Sequence, residues 1–364
     1  MTAIACLPGG GTRGRPRQQA GADPDRKDHP RVSQVTTALV DDTLEGAAPA
    51  PAGDVRAGRS PGQVAWSRLR RDKVAIGSTV VVLFFVLIAL FAPVLVGIEG
   101  ETLGTYHSEL ISASDTLPII GANAQHWFGV EPRTGRDLFA LWAYGARPSL
   151  IIGFVAALAS TVLGVVLGLV AGYLGGIADR VISWVVDLLL SLPYLLVVIA
   201  LVPIIQNRVG NGQILSAEQT STVRFWTIIG VLVFFGWIGL ARLIRGEVFS
   251  LREREFVQAA RVIGVPTRRI LFREILPNLV GPIIVSASIA VPAYIASEAT
   301  LSFLGAGLVE PTASWGRTVS LAQNSYAAYP LWLWPPVASI ALLVLALSLL
   351  GESVRDAFDP NTRR

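Results

Sequence analysis

PSLIIGFVAALASTVLGVVLGLVA, residues 148–171, contains no charged side chain. At a helical rise of about 1.5 Å per residue it outreaches the ~30 Å hydrocarbon core of a bilayer. Stretches 74–96 and 331–350 are also long enough to span, apolar and uncharged. Stretch 225–244 carries only Arg242, close enough to an end for its guanidinium to snorkel to the interface. Stretches 181–205 and 279–303 each hold one acid, Asp187 and Glu298, and still qualify. The expectation is an all-α integral membrane protein with six transmembrane helices.

The composition agrees. Of 364 residues, 52% are hydrophobic and 15% charged, against about 25% charged in soluble domains. Mean hydropathy is +0.54. The formal net charge is only +4, and lysine occurs only at positions 27 and 73, so arginine carries the basic signal. Basic residues flank the spans on one side: Arg68, Arg70, Arg71 and Lys73 before the first, seven arginines from Arg245 to Arg273 after the fourth, and Arg355, Arg363 and Arg364 after the sixth. The opposite loops, 97–147, 206–224 and 304–330, hold few arginines and carry Glu99, Glu101, Glu109, Asp115 and Glu131. The positive-inside rule then places both termini in the cytoplasm.

Residues 1–62 are rich in Gly, Ala, Pro and Arg, with APAPAGDVRAGRSPG (48–62) as linker, and read as a disordered cytoplasmic extension. Residues 63–73, with Trp66 ahead of the basic cluster, read as an interfacial elbow. The six-helix transmembrane domain then spans 74–352, and 353–364 is a cytoplasmic tail. Cys6 is the only cysteine, which excludes an intrachain disulfide and a multi-cysteine metal site. It follows no basic leader, so no secretory or lipoprotein signal is expected.

Gly164, Gly168 and Gly172 line one helical face and allow close backbone approach, as a pore contact or as ordinary bundle packing. Pro193, Pro203, Pro282 and Pro292 each remove a backbone donor and can kink their helices. An intramembrane acid must be protonated, paired or facing water. For Glu298 the alternatives are a position at an external gate or pathway, or a packing hydrogen bond to Ser297, Thr300 or a neighbouring helix. For Asp187 the candidate partners are Arg180 and Arg242. His29, His107 and His126 show no metal-like spacing, so no metal site is expected. His126-Trp127 reads as an interface anchor.

The loop 245–278 is far longer than the usual connection of about 2–8 residues between helices. EREFVQAARVIG (253–264) has helical spacing, with Phe256, Val257, Ala260 and Ile263 on one stripe. Gly264 suits a left-handed helix end. Pro266 and Thr267 suit the start of a second short helix, TRRILFREIL, expected to stop at Pro277. Such a pair could press into a groove on a cytoplasmic partner, with Ala259 and Ala260 permitting close approach, or merely coat the headgroups.

EFVQAARVIGVPTRRILFREILPN resembles the EAA loop of ABC-importer permeases, which pairs Ala-Ala with a glycine four residues on and a later Leu-Pro. Ala259, Ala260, Gly264, Leu276 and Pro277 match it. Gln258 stands where the pattern has Glu, and Glu274 where it has Ile, with Ile275 next. Glu255, one turn earlier, is the carboxylate available for the missing role. WSRLRRDKVAIGS (66–78), HWFGVEPRTGRDLFALWAYGARPSL (126–150), GYLGGIADR (172–180), EATLSFLGAG (298–307), SWG (314–316) and GESVRDAFDP (351–360) are similar to segments of the C-type subunit in the dipeptide/oligopeptide/nickel permease group. The resemblance runs from about residue 62 to 360.

That resemblance implies the type I ABC importer permease fold in a bacterial cytoplasmic membrane. It implies an ATPase-coupling loop comprising Glu255, Gln258, Ala259, Ala260, Gly264, Arg268, Ile275, Leu276 and Pro277. Implied partners are a second, B-type permease subunit, one or two nucleotide-binding ATPase subunits, an extracytoplasmic substrate-binding lipoprotein and membrane lipids, with no nucleic acid. The substrate implied is a dipeptide or oligopeptide, with a nickel chelate or glutathione as alternatives. ATP and Mg would be bound by the partner subunits, with no cofactor and no catalysis in this chain. Independently, neither lysine lies in a Gly-Lys-[Ser/Thr] phosphate loop. HExxH and GxSxG are also absent, which weakens the rival reading as a membrane-embedded enzyme.

Overall fold

The computed structural model describes residues 61–359. The expected N-terminal extension, with Cys6 and His29, lies outside that range except for its last two positions, as does the end of the tail.

Helices α1 (Pro61–Leu69) and α2 (Lys73–Glu99) are separated by Arg70, Arg71 and Asp72, and the Asp72 carboxylate caps α2 by accepting from the Val74 amide. After a long loop, Asp137 caps α3 (Leu138–Leu174) by accepting from the Ala140 amide. Two shorter helices follow, α4 (Gly176–Ser191) and α5 (Tyr194–Val209). A reciprocal capping box between Ser216 and Gln219 opens α6 (Ala217–Arg252). Then come α7 (Glu255–Val262), α8 (Thr267–Phe303), α9 (Trp315–Ala322) and α10 (Pro330–Phe358).

Five of these, α2, α3, α6, α8 and α10, are long and apolar enough to cross a membrane. The third expected span is corrected: 181–205 is not one helix but the α4–α5 pair, bent by 90°. The cause is local. Pro193 has no amide proton and disfavours helical geometry at the residue before it, and Leu192 is extended (φ −84°, ψ 133°). A second correction concerns Pro277, which does not stop a short helix. A π-helical segment, Ile270–Ile275, joins the first turn of α8 to its long α-helical part. Its wider turn accommodates a proline that then sits in the first α-turn, where a missing N–H costs little.

The glycine stripe of α3 meets α6 in parallel. A Cβ on Gly164 would lie 2.9 Å from the Trp237 carbonyl oxygen, one on Gly168 2.7 Å from Ile244 Cβ, and one on Gly172 2.7 Å from Val248 Cβ. α8 and α10 pack around this pair. Ile295 lies beside Gly153 of α3, and the Trp142 indole donates to Ser339 of α10 at 2.7 Å. The C-terminal ends of α3, α6 and α10 therefore share one end of the bundle with α1 and α7. The loop 100–137 sits at the other end. Only 22% to 50% of each apolar window is buried within the chain, which leaves broad faces for lipid or other subunits.

Candidate functional site

The segment 253–278 folds into a short helix, a reversal and the start of α8. Arg254 precedes α7 in extended backbone (φ −72°, ψ 146°). At its far end the Gly264 amide donates to the Arg261 carbonyl at 3.0 Å and the Val265 amide to the Ala260 carbonyl at 3.0 Å. These two bonds form a Schellman motif, which requires a left-handed residue after the helix. Gly264 supplies it with φ +79°.

Val257 and Ala260 are buried, as are Ile270, Ile275 and Leu279 of α8, Ile244 and Val248 of α6 and Leu169 of α3, and together they form one apolar cluster. Full burial of a valine or isoleucine stabilises by about 1.5–3 kcal/mol. Arg261 stacks over the Tyr173 ring of α3, 4.8 Å from its centroid, and Arg252 donates to the Gly172 carbonyl at 3.1 Å. The α7 segment is thus fastened to three long helices.

The expected apolar stripe divides here. Val257 and Ala260 face inward, whereas Phe256 and Ile263 are exposed, Ile263 with 79% of its surface open. Ala259 is exposed while Ala260 is buried, so only Ala259 is open to close approach from outside. Val262 (86% exposed), Ile263 and Phe272 add apolar surface around the turn, and Arg268 and Pro277 are also exposed. Leu276 is half-buried. An open groove of about 800 Å³ runs beside Glu253, Arg254, Glu255, Phe256 and Asn278. The Gln258 amide donates to the Arg252 carbonyl at 3.2 Å and to Glu253 Oε2 at 3.4 Å. A glutamate there would face the Glu253 carboxylate instead, which gives the departure from the resembled pattern a physical reason.

Glu298 is fully buried on α8 and accepts hydrogen bonds from Ser149 of α3 (2.7 Å), Ser302 of its own helix (2.8 Å) and Ser314 before α9 (3.1 Å). The expected candidates Ser297 and Thr300 instead donate to carbonyls of their own helix. Asp187 pairs with Arg242 at 2.5 Å, both side chains more than half exposed. Asp179 and Arg245 bind α4 to α6 in a bidentate pair.

At the opposite end, the sequence reading missed a polar centre. His107 and His126, whose spacing suggested no association, have ring centroids 4.9 Å apart. His107 Nε2 lies 3.0 Å from Glu101 Oε2, and His126 Nδ1 lies 3.0 Å from Asp137 Oδ2. The Glu101 carboxylate holds the His107 imidazole above its usual pKa, against the pull of burial, with Glu109 adding to the effect. Two antiparallel bonds, Glu131 amide to Arg136 carbonyl and Leu138 amide to Gly129 carbonyl, fold 126–138 back on itself and deliver His126 to Asp137. Beside them Arg136 joins Glu131 (2.7 Å) to Glu310 (3.1 Å), which also receives Arg317 (3.0 Å). The pattern HWFG…GRD carried the signal for the His126–Asp137 pair. Nothing in the spacing marked Glu101 or His107.

Comparison with known proteins fits this architecture. Residues 164–364 match the family described as binding-protein-dependent transport system inner membrane component. Residues 60–105 match the N-terminal TM domain of oligopeptide transport permease C. The chain is 37% identical to the dipeptide transport system permease protein DppC of Bacillus subtilis (strain 168), over 83% of this chain and 86% of that one. It is 32% identical to the oligopeptide transport system permease protein OppC of the same organism, over 82% and 88%. It is 33% identical to the glutathione transport system permease protein GsiD of Shigella dysenteriae serotype 1 (strain Sd197), over 84% and 92%. The chain therefore belongs to the binding-protein-dependent inner-membrane permeases of ABC importers, in the dipeptide and oligopeptide transport group.

Proposed function

We propose that this chain forms one wall of a peptide pathway across the cytoplasmic membrane and receives the force of ATP hydrolysis through the α7–α8 turn. Separate nucleotide-binding subunits dock on that turn and carry the ATP and Mg. A second, B-type permease supplies the rest of the wall, and an external binding lipoprotein delivers the peptide. The observation that carries this reading is the turn itself. It exposes Ala259, Val262 and Ile263 on one side and is welded on the other to α3, α6 and α8 through one apolar cluster. A partner pushing on α7 would move three long helices together, whereas a segment that only coats headgroups needs no such joint.

Six crossings with both termini in the cytoplasm are part of this proposal, and the packing and the charges support them. The parallel packing of α3 and α6 supports a return across the bilayer between them, with α4–α5 as its helical part. The end bearing α1, α7 and the end of α10 holds Arg68, Arg70, Arg71, Arg254, Arg261, Arg268 and Arg269, as the positive-inside rule asks of the cytoplasmic face.

Dipeptides or oligopeptides are the proposed cargo. Glutathione, itself a tripeptide, is the second reading, favoured by the likeness to a glutathione permease. The test is uptake into proteoliposomes that hold this chain with its copurifying permease, ATPase and binding subunits, offered labelled dipeptides, longer peptides and glutathione. ATP-dependent accumulation of a peptide by the complex, and none by this chain alone, is expected. ATP-dependent uptake by this chain alone would overturn the proposal.

A further inference from the structure

Beyond the end of α2, three positions scattered through the loop bring metal-ligating atoms together. One ligand atom from each of Glu101, His107 and His126 lies within 4.8 Å of the others. His126 Nδ1 is 3.9 Å from Glu101 Oε1, and the same nitrogen is 3.0 Å from Asp137 Oδ2. The remaining nitrogen of His107, Nδ1, meets Glu109 Oε1 at 3.0 Å. An outer carboxylate on the far nitrogen is what orients a metal-bound imidazole and raises its basicity.

A separate observation concerns charge. Glu99, Glu101, Glu109 and Asp137 gather here, and among the described residues their ion pairs are with the two histidines rather than with arginine or lysine. Glu99 accepts the Trp127 amide through Oε1. Its Oε2 is buried beside the Asp137 and Glu101 carboxylates. Four carboxylates gathered around two imidazoles supply the oxygen and nitrogen donors that a divalent cation would take.

We infer that Glu101, His107 and His126, with Asp137 as the adjoining carboxylate, form a site for one divalent transition-metal ion of the zinc or nickel type. Two imidazoles among carboxylates suit these ions, while calcium and magnesium prefer an all-oxygen shell. Tetrahedral zinc, with bonds of about 2.0–2.2 Å, separates its ligands by roughly 3.3–3.5 Å. Small side-chain rotations bring the present spacings to that value. The ion takes the place of the His107–Glu101 and His126–Asp137 hydrogen bonds. It would staple the loop after α2 to Asp137, the cap of α3. This inference stands apart from the transport proposal and does not depend on it.

The test uses the full chain, purified in detergent and stripped with chelator, then titrated with Zn2+ by calorimetry and with Co2+ by visible absorption. One equivalent should bind with micromolar or tighter affinity, and the thermal midpoint should rise with metal concentration. His107→Ala and Glu101→Gln should each weaken binding at least about tenfold, and Glu109→Gln by about 10–100-fold through the outer shell. His126 is left intact because it is buried against the α3 cap, whereas the His107 side chain is 19% exposed and its loss leaves that cap in place. Binding should persist when Cys6→Ser and His29→Ala remove the other sulfur and imidazole ligands. Absence of saturable binding below about 1 mM, binding unchanged in both His107→Ala and Glu101→Gln, or binding lost with Cys6 and His29 would each overturn the inference.

Discussion

Glu298 has no exposed surface, and each hydrogen bond it accepts comes from a serine hydroxyl on a different part of the chain. It joins α3, α8 and the segment leading to α9. Glu298→Ala removes an acceptor from buried donors and opens a cavity, so a loss of at least about 2 kcal/mol is expected in thermal unfolding. Glu298→Gln keeps the shape and one acceptor oxygen and should lose less than half as much. Equal losses in the two variants would mean that these hydrogen bonds carry none of the effect. That 279–303 holds a single acid was legible in the sequence. Its partners were not, because Ser149 and Ser314 come from elsewhere in the chain, while the neighbours Ser297 and Thr300 bond to their own helix. The histidine centre was hidden for the same reason, since helix ends and a folded-back loop, rather than spacing, bring its members together.

Among the helices, prolines show why element ends were harder to read than elements. Pro203, Pro282 and Pro292 sit inside continuing helices, whereas Pro193 separates two helices at 90°. The residue type is the same in each, and the helix breaks only where the residue before the proline, Leu192, is extended. Glycines were more informative, because four-residue spacing fixes a face. At Gly168 a Cβ would meet Ile244 Cβ at 2.7 Å and the Ala241 carbonyl oxygen at 2.8 Å. Gly168→Val should therefore force α3 and α6 apart and cost about 1–3 kcal/mol by overpacking. Gly168→Ala should already show part of that loss in the unfolding midpoint, because the Cβ alone makes these contacts. At Gly264 a Cβ meets nothing within 4 Å, so the cost of substitution lies in the backbone. Left-handed geometry costs an ordinary residue about 1–2 kcal/mol, more for a β-branched one, while asparagine tolerates it. Gly264→Val should loosen the turn and Gly264→Asn preserve it, read as protease sensitivity after Arg261.

For the whole molecule, the distribution of arginine and the parallel α3–α6 pair support the proposed orientation in the bilayer. A reporter active only outside the cytoplasm should give signal when fused after Gly100 and none after Arg254, and the reverse pattern would contradict the proposed topology. Energy coupling is the claim on which the function turns, and it places all force transfer at the α7–α8 joint. Its most direct measurement is peptide uptake and ATP hydrolysis side by side, in proteoliposomes holding the complete complex with Gly264→Val, Gly264→Asn or Ala259→Arg. The valine and arginine variants should assemble yet lose transport and binding-protein-stimulated hydrolysis by about tenfold or more, the rate equivalent of about 1.4 kcal/mol. The asparagine variant should stay near the parent. If the valine and arginine complexes assemble and transport like the parent, the turn is not where ATP hydrolysis drives this chain.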